Sequence, residues 1–376
     1  MRAGMLRELR YLLSHKWDLY LVTLAPALII LIFSSMFASG KPSHLAIAIL
    51  DQDHSQLSQS IVRYANANHS LSIKTISANQ DEIENLVNRT EIWGYISIPA
   101  GAEQRLVHGQ DAQIALLFNQ SYFSIGNAIS TAMLSSTLRA LADFSGQNYL
   151  EQRLPYFDSP TPNVKISTLY NPSLSYEFYL EPYMIPAILH LLLCCCVAFS
   201  VGQEFKFCTA PDWLKGQSQF TALLSKNMTY VLIFSFWTWL WMFWLIEIRG
   251  WFVAGQLWLI LLGQFLFYSA YAFVGSAVVL ATGDLAKSFG FIAVYGGSSL
   301  SFAGITLPLN NAPLFTKFWA NIIPYTPYAK LQTEQWVVGS PLHISITPLL
   351  TLLAYFVLYL LLALFFFKKH LGRSLP

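Results

Sequence analysis

Charge is what this chain has least of. Asp, Glu, Lys and Arg make up 11% of its 376 residues, against about 25% in an ordinary soluble domain. The formal net charge is only +2, so no basic excess points to nucleic acid. Cysteine is also scarce: Cys194, Cys195, Cys196 and Cys208 are the only four, and none falls between residues 39 and 178. That excludes a disulfide framework in this stretch. The Cys triplet has no His or carboxylate at ligand spacing, and successive helix residues point about 100° apart, so packing is favoured over metal binding. No nucleophile elbow, HExxH pair or paired-carboxylate spacing occurs, so no catalytic residue is assigned. Gly283-Asp284-Leu285-Ala286-Lys287-Ser288 echoes part of a phosphate loop, but Ala286 stands where glycine is needed and no strand precedes it.

What the chain does have is uncharged apolar length. Six runs stand out: Leu19–Phe37, Tyr183–Val201, Met228–Ile246, Leu257–Leu280, Ser288–Ile305 and Ile344–Phe367. Each has roughly the 20 residues that a helix rising 1.5 Å per residue needs to cross a ~30 Å hydrocarbon core. Runs so long and uncharged predict helices and not barrel strands. The expected fold class is an α-helical integral membrane protein with six transmembrane helices, one plus five, and an α/β domain inserted between the first and second. The expected divisions are an amphipathic helix (1–17), a first span (18–38), the insert (39–178) and a five-helix domain (179–376). The last contains a short loop region (202–226) and a segment dipping back into the membrane (306–342).

The sparse charges set an orientation. Arg2, Arg7, Arg10 and Lys16 precede the first span. Lys206, Lys215, Lys226, Lys287, Lys368, Lys369 and Arg373 fall on the same side, whereas the opposite short loops hold Arg249, Lys317 and Lys330. The positive-inside rule then predicts cytoplasmic termini and an external insert. The first run is too long for a signal-peptide core and has no small-x-small exit, so it reads as an uncleaved anchor.

Within the insert, Ala46–Leu50, Leu71–Thr75, Ile92–Ile98 and Ile114–Phe118 have strand character. They alternate with helical patterns at Ser55–Asn68, Asn79–Arg89, Ala102–His108 and from Ser121 to about Gln152, ahead of a Pro-rich connector at Pro155, Pro160 and Pro162. Asp53 or Ser55 is expected to cap the first helix and Asn79 the second. Asp51, Asp53 and His54 form a tempting ligand set, but strand-end aspartates are favoured as caps. A folded receptor or docking domain is the reading.

Two elements stand out on the charged side. Met5, Leu6, Leu9, Leu12 and Leu13 share one helical face, which suits a helix lying in the membrane interface; a plain charged flank is the alternative. After the second span comes Gly202-Gln203-Glu204-Phe205-Lys206-Phe207-Cys208-Thr209-Ala210-Pro211-Asp212-Trp213-Leu214-Lys215. Thr209 suits a cap and Pro211 a first helical turn. Trp213 and Leu214 are expected to present apolar surface, to a partner or to the interface.

This order of elements resembles the permease subunit of bacterial type-2 ATP-binding-cassette exporters. In that family the short loop carries a Glu, then a Gly-Thr pair, then a helix ending in an apolar residue; Glu204, Thr209 and Trp213-Leu214 match, with Cys208 at the glycine. Asn171-Pro172, Phe302-Ala303-Gly304…Pro308 and Pro324-Tyr325-Thr326-Pro327-Tyr328 also fit, so the resemblance covers essentially the whole chain. It implies an inner-membrane permease working as a homodimer or heterodimer on two cytoplasmic ATPase subunits, which bind the ATP and Mg. Contact with the ATPase would run through Glu204, Lys206, Thr209, Pro211, Asp212, Trp213 and Leu214. An exit gate would comprise Phe302, Gly304, Pro308, Pro324, Pro327 and Tyr328. A periplasmic adaptor is a further expected partner, alongside membrane lipid.

Inside the spans, Ala293, Gly297 and Ser301 recur four apart, which suits close packing with a second subunit or within one. Pro186 and His190 interrupt the second span and are candidates for a substrate path, or His190 for a hydrogen bond inside the bundle. Glu177 and Glu181 are expected to be solvated at its outer mouth. Aromatic, apolar spans suit an amphipathic or lipid-like cargo: a drug, a glycolipid or a peptide. The alternative class is a membrane-anchored assembly or sensory protein acting through its insert. An ion-driven transporter is disfavoured because the spans hold almost no acidic or basic residue and no inverted repeat.

Overall fold

The computed structural model describes residues 1–38, 43–119, 123–151, 175–306 and 309–374. They divide into two units, Met1–Ala38 with Glu177–Pro376, and Ser39–Tyr176. Pro155, Pro160, Pro162, Asn171, Pro172 and Pro308 lie outside the described residues.

The chain begins with α1 (Arg2–Ser14), turns at His15 in extended backbone, and enters α2 (Lys16–Phe37). The α1 face that packs is Gly4, Glu8 and Leu12, spaced four apart on one side of the helix. Gly4 is needed there, because a Cβ would sit 2.2 Å from Ser225 Oγ. The leucine face expected to lie on the membrane is divided: Leu6, Leu9 and Leu13 are exposed, whereas Leu12 is buried on the packed side.

The second unit alternates as expected: β1 (Leu45–Asp51), α3 (Gln56–Asn66), β2 (Leu71–Ser77), α4 (Gln80–Asn88), β3 (Gly94–Ile98), α5 (Ala102–Val107), β4 (Ala115–Phe118) and α6 (Phe123–Glu151). The sheet order is β2-β1-β3-β4, with β4 antiparallel to β3 and the other pairs parallel. Period-two alternation divides its core. Ile47, Ile49, Ile96 and Ile98 pack with Leu57 and Ile61 of α3 and Met133 of α6, while Ala48 and Leu50 pack with Ile83 of α4. Ser55 caps α3 in a capping box with Ser58, and Asn79 caps α4. Asp53 caps a different helix from the expected one. Its carboxylate accepts from the backbone N–H of Gly101, Ala102 and Glu103 at 2.6, 3.1 and 3.0 Å, at the start of α5. Asp51 accepts from the N–H groups of Asp53 and His54, so this trio is a turn and a cap.

The first unit continues with α7 (Tyr176–Lys206), α8 (Ala210–Leu214), α9 (Gln219–Glu247), α10 (Leu257–Thr282), α11 (Leu285–Gly297), α12 (Ser299–Phe302), α13 (Leu314–Ala320), α14 (Tyr325–Gln332), a π-helical turn (Thr333–Val338) and α15 (Leu342–Ser374). Among the described residues five helices, α2, α7, α9, α10 and α15, are long and apolar enough to cross a membrane. The sixth expected span, Ser288–Ile305, is not one continuous long helix. That run is split between α11, whose 13 residues reach only about 20 Å, and the four-residue α12. The division falls at Gly296-Gly297-Ser298-Ser299, all poor helix formers. Ser298 there bonds back to the Tyr295 carbonyl and accepts from Trp319 Nε1, a local alternative to helix continuation.

α7 and α10 approach closely. A Cβ on Gly275 would lie 2.6 Å from the Cys194 carbonyl oxygen, which supports the packing reading of the cysteine triplet.

Candidate functional site

Lys226 is the centre of the arrangement. Expected at the end of the loop region 202–226, it lies inside α9 and is buried. Its ammonium donates to Glu8 Oε2 at 2.7 Å and to Glu204 Oε1 at 2.9 Å. Glu8 also accepts from Ser200 Oγ at 2.6 Å and Tyr230 Oη at 2.8 Å. Glu204 receives Arg7 in a fork, Nη1 at 2.8 Å and Nη2 at 3.1 Å, and the Thr209 hydroxyl at 2.6 Å. Two cations thus balance two carboxylates, and each carboxylate takes further donors, as buried charges require. The network joins α1, the end of α7 and the start of α9. Glu8 was missed in the sequence; its one signal is an acidic residue four from Gly4 and four from Leu12 on the packed face of α1.

The loop after α7 hangs from this network, and two expectations for it are corrected. Thr209 precedes α8 without a capping side-chain bond; its hydroxyl is committed to Glu204. Trp213 is 2% exposed and not a surface anchor. It packs against Phe205 and Phe367, with the Lys226 ammonium 5.3 Å from its ring centroid, a cation–π contact. Burial of its large apolar area outweighs display to a partner. Leu214 is half-buried in the same core. The exposed residues of the loop are Lys206, Phe207, Cys208, Pro211, Asp212 and Lys215, and Phe207 is 64% exposed. Cys208 has φ +55°, the left-handed conformation that glycine adopts without penalty. The phosphate-loop echo is a helix junction, with Gly283 at φ +63° ending α10 and Asp284 capping α11.

Glu177 and Glu181 are buried, not solvated. Glu181 accepts from Ser34 Oγ at 2.5 Å and Trp241 Nε1 at 3.0 Å, and Glu177 pairs with Arg249. His190 is enclosed too. Its Nδ1 lies 3.2 Å from the Pro186 carbonyl oxygen, and its ring is 4.2 Å from Tyr271, 5.3 Å from Phe267 and 5.9 Å from Tyr325. Pro186 and His190 are therefore brought together inside aromatic packing.

The expected gate residues fall into two groups. Pro324, Pro327 and Tyr328 are buried, with Tyr328 stacked 4.4 Å from Phe267. Phe302 belongs to a separate cluster with Phe315 and Trp319. Gly304 has φ +82°. The segment is broken as expected, into α13, α14 and the π-helical turn, and is tied back by Tyr325 Oη donating to the Tyr183 carbonyl at 2.8 Å. Ala293, Gly297 and Ser301 are all exposed, and a Cβ on Gly297 would meet nothing within 4 Å.

The sequence pattern of one protein family, described as ABC-2 family transporter protein, matches residues 16–365. No curated protein matches the chain.

Proposed function

This chain belongs to the ABC-2 family of transporter proteins, and from that premise we propose that it is the permease subunit of an ATP-driven exporter. It is a multi-pass membrane protein, and the family implies partnership with an ABC ATPase. In our reading both termini are cytoplasmic, the membrane is the bacterial inner membrane, and the unit Ser39–Tyr176 is external. Two permeases, identical or not, work with two ATPase subunits that bind ATP and Mg. The cargo is amphipathic or lipid-like, handed on to a periplasmic adaptor.

The observation that carries the reading is the ion network under the loop. A contact on Lys206, Phe207, Pro211 and Asp212 would be transmitted through Glu204 to Lys226 and Glu8, and so to α1 and α9 together. Exposed residues make the contact in this scheme; Glu204, Thr209, Trp213 and Leu214 hold the loop stiff behind it. The small-residue face at Ala293, Gly297 and Ser301 is then the place for the second permease, and Phe302, Gly304, Pro308, Pro324, Pro327 and Tyr328 close the outer exit.

Affinity purification of the tagged chain after co-expression with a candidate ABC ATPase from the same genome tests this. An ATPase subunit should co-purify, and Phe207→Ala with Asp212→Lys should release it. Its absence from the wild-type preparation would favour a membrane-anchored assembly or sensory protein instead. Gln59→Cys, at an exposed position of α3, should label from outside intact cells and Lys215→Cys should stay protected; the reverse would overturn the orientation.

A further inference from the structure

We propose that the corner between α1 and α2 binds one membrane phospholipid whose headgroup carries both a phosphate and a primary ammonium. Two cavities meet there. One, of about 670 Å³, has charged and polar side chains, Arg7, His15, Lys16, Asp18 and Gln203, among its walls. The other, of about 370 Å³, is apolar, with Leu21, Val22, Leu192, Cys195, Phe199 and Phe289 among its walls. Both volumes fall in the range of about 300–1,000 Å³ typical of ligand sites. Tyr11, Trp17, Asp18, Ser200 and Gln203 line both, so the chamber with charged walls adjoins the apolar slot. A head-and-tail molecule fits that juxtaposition, and neither a purely polar nor a purely apolar one fills it. Trp17, 84% exposed, stands beside the opening, and tryptophan is the residue enriched where membrane meets water.

The charges select the headgroup. Arg7 and Lys226 are committed to Glu204 and Glu8. What remains on the chamber is Lys16, which makes no ion pair among the described residues, and Asp18, which accepts from Tyr11 Oη at 2.9 Å. No ion pair joins Lys16 to Asp18, so each is available to a ligand. A phosphate on Lys16 with an ammonium on Asp18 satisfies both. A headgroup carrying only a negative charge leaves Asp18 facing a like charge, and a quaternary ammonium offers it no N–H donor. The proposal rests on the membrane placement of this unit and not on its transport role.

Native mass spectrometry of the purified full chain in detergent provides the test, with phosphatidylethanolamine, phosphatidylglycerol, diacylglycerol and water-soluble phosphoethanolamine added separately. One phosphatidylethanolamine per chain should be retained at least about fivefold more tightly than phosphatidylglycerol or diacylglycerol, the scale of one added charge contact. Phosphoethanolamine alone should not be retained. Lys16→Gln should weaken both phospholipids, Asp18→Asn should remove the preference between them, and Cys195→Trp should block the slot. Leu21→Trp serves for the slot should Cys195→Trp fail to fold. Equal retention of phosphatidylethanolamine and diacylglycerol would overturn the proposal. So would wild-type binding by the variants, or retention of the headgroup without its chains.

Discussion

Lys226 and Glu8 stand 218 positions apart in the chain, yet their charged atoms lie 2.7 Å apart in a buried pair. The contact fastens the first helix of the protein to the start of α9. It also explains why α1 packs through Gly4, Glu8 and Leu12 while Leu6, Leu9 and Leu13 face outward. A buried ion pair is costly to break from one side, because the survivor keeps its desolvation penalty.

Lys226→Met removes the shared cation and leaves Glu8 and Glu204 facing each other's charge. A loss on the order of 3–5 kcal/mol is expected, read as a lower unfolding midpoint in detergent. The double variant Glu8→Gln/Lys226→Met should recover part of it. An unchanged midpoint in Lys226→Met would remove the network from the account.

Trp213 and Phe207 exchange the roles their sequence context suggests. Trp213→Ala should destabilise the purified permease by about 3–5 kcal/mol, the scale of emptying a buried aromatic site. Phe207→Ala should leave stability within about 0.5 kcal/mol while reducing ATPase co-purification. The opposite pattern would place Trp213 at the partner surface.

Cys208 occupies a left-handed backbone position at φ +55°. Such a conformation costs a non-glycine residue roughly 1–2 kcal/mol, partly offset by the greater freedom glycine loses on folding, about 0.5–1 kcal/mol. Cys208→Gly should therefore raise the unfolding midpoint modestly, and Cys208→Ala should not. Equal effects of the two would point to the thiol and not the backbone.

Gly304 sits at φ +82°, where a branched side chain is strained. Gly304→Leu should lower transport in a vesicle assay while ATPase co-purification persists, since the loop beside Glu204 is untouched. Normal export by this variant would show that the turn plays no part in the gate.

Asp53 supplies the pH dependence. Burial opposes its ionisation, but hydrogen bonds from Ser55 and from the backbone of Glu103, Gly101 and Ala102 outweigh that and hold its carboxyl below the usual carboxylate range. Its folded-state pKa is depressed, so its contribution is present above the unfolded value, about 3.9, and lost as pH falls through the folded value. Asp53→Asn should flatten that acid dependence. Hydrogen exchange at α5 between neutral and acidic pH reports it, and protection that falls equally in both proteins would exclude Asp53 as the cause.

Periodicity carried much of the fold. The strand runs at Ala46–Leu50 and Leu71–Thr75 became β1 and β2 within a residue or two, because short apolar or β-branched runs between turn and cap residues favour strands. Capping was local as well, so Ser55 and Asn79 could be read from their neighbours. Ser288–Ile305 was not legible in this way. Its hydropathy is that of a span, but hydropathy does not register two glycines and two serines that end a helix inside it.

The sequence by itself determined that this chain lives in a membrane, where its long helices fall, and that an α/β unit interrupts them; each depends on patterns within one turn or one strand. Tertiary structure alone decided which charges are paired and which aromatic is displayed. Lys226, Glu8, Glu204 and Arg7 lie on three elements far apart in the chain, and Trp213 is hidden only because Phe205 and Phe367 reach it from other helices. Burial is a property of what surrounds a residue, and for these residues the surroundings come from distant parts of the chain.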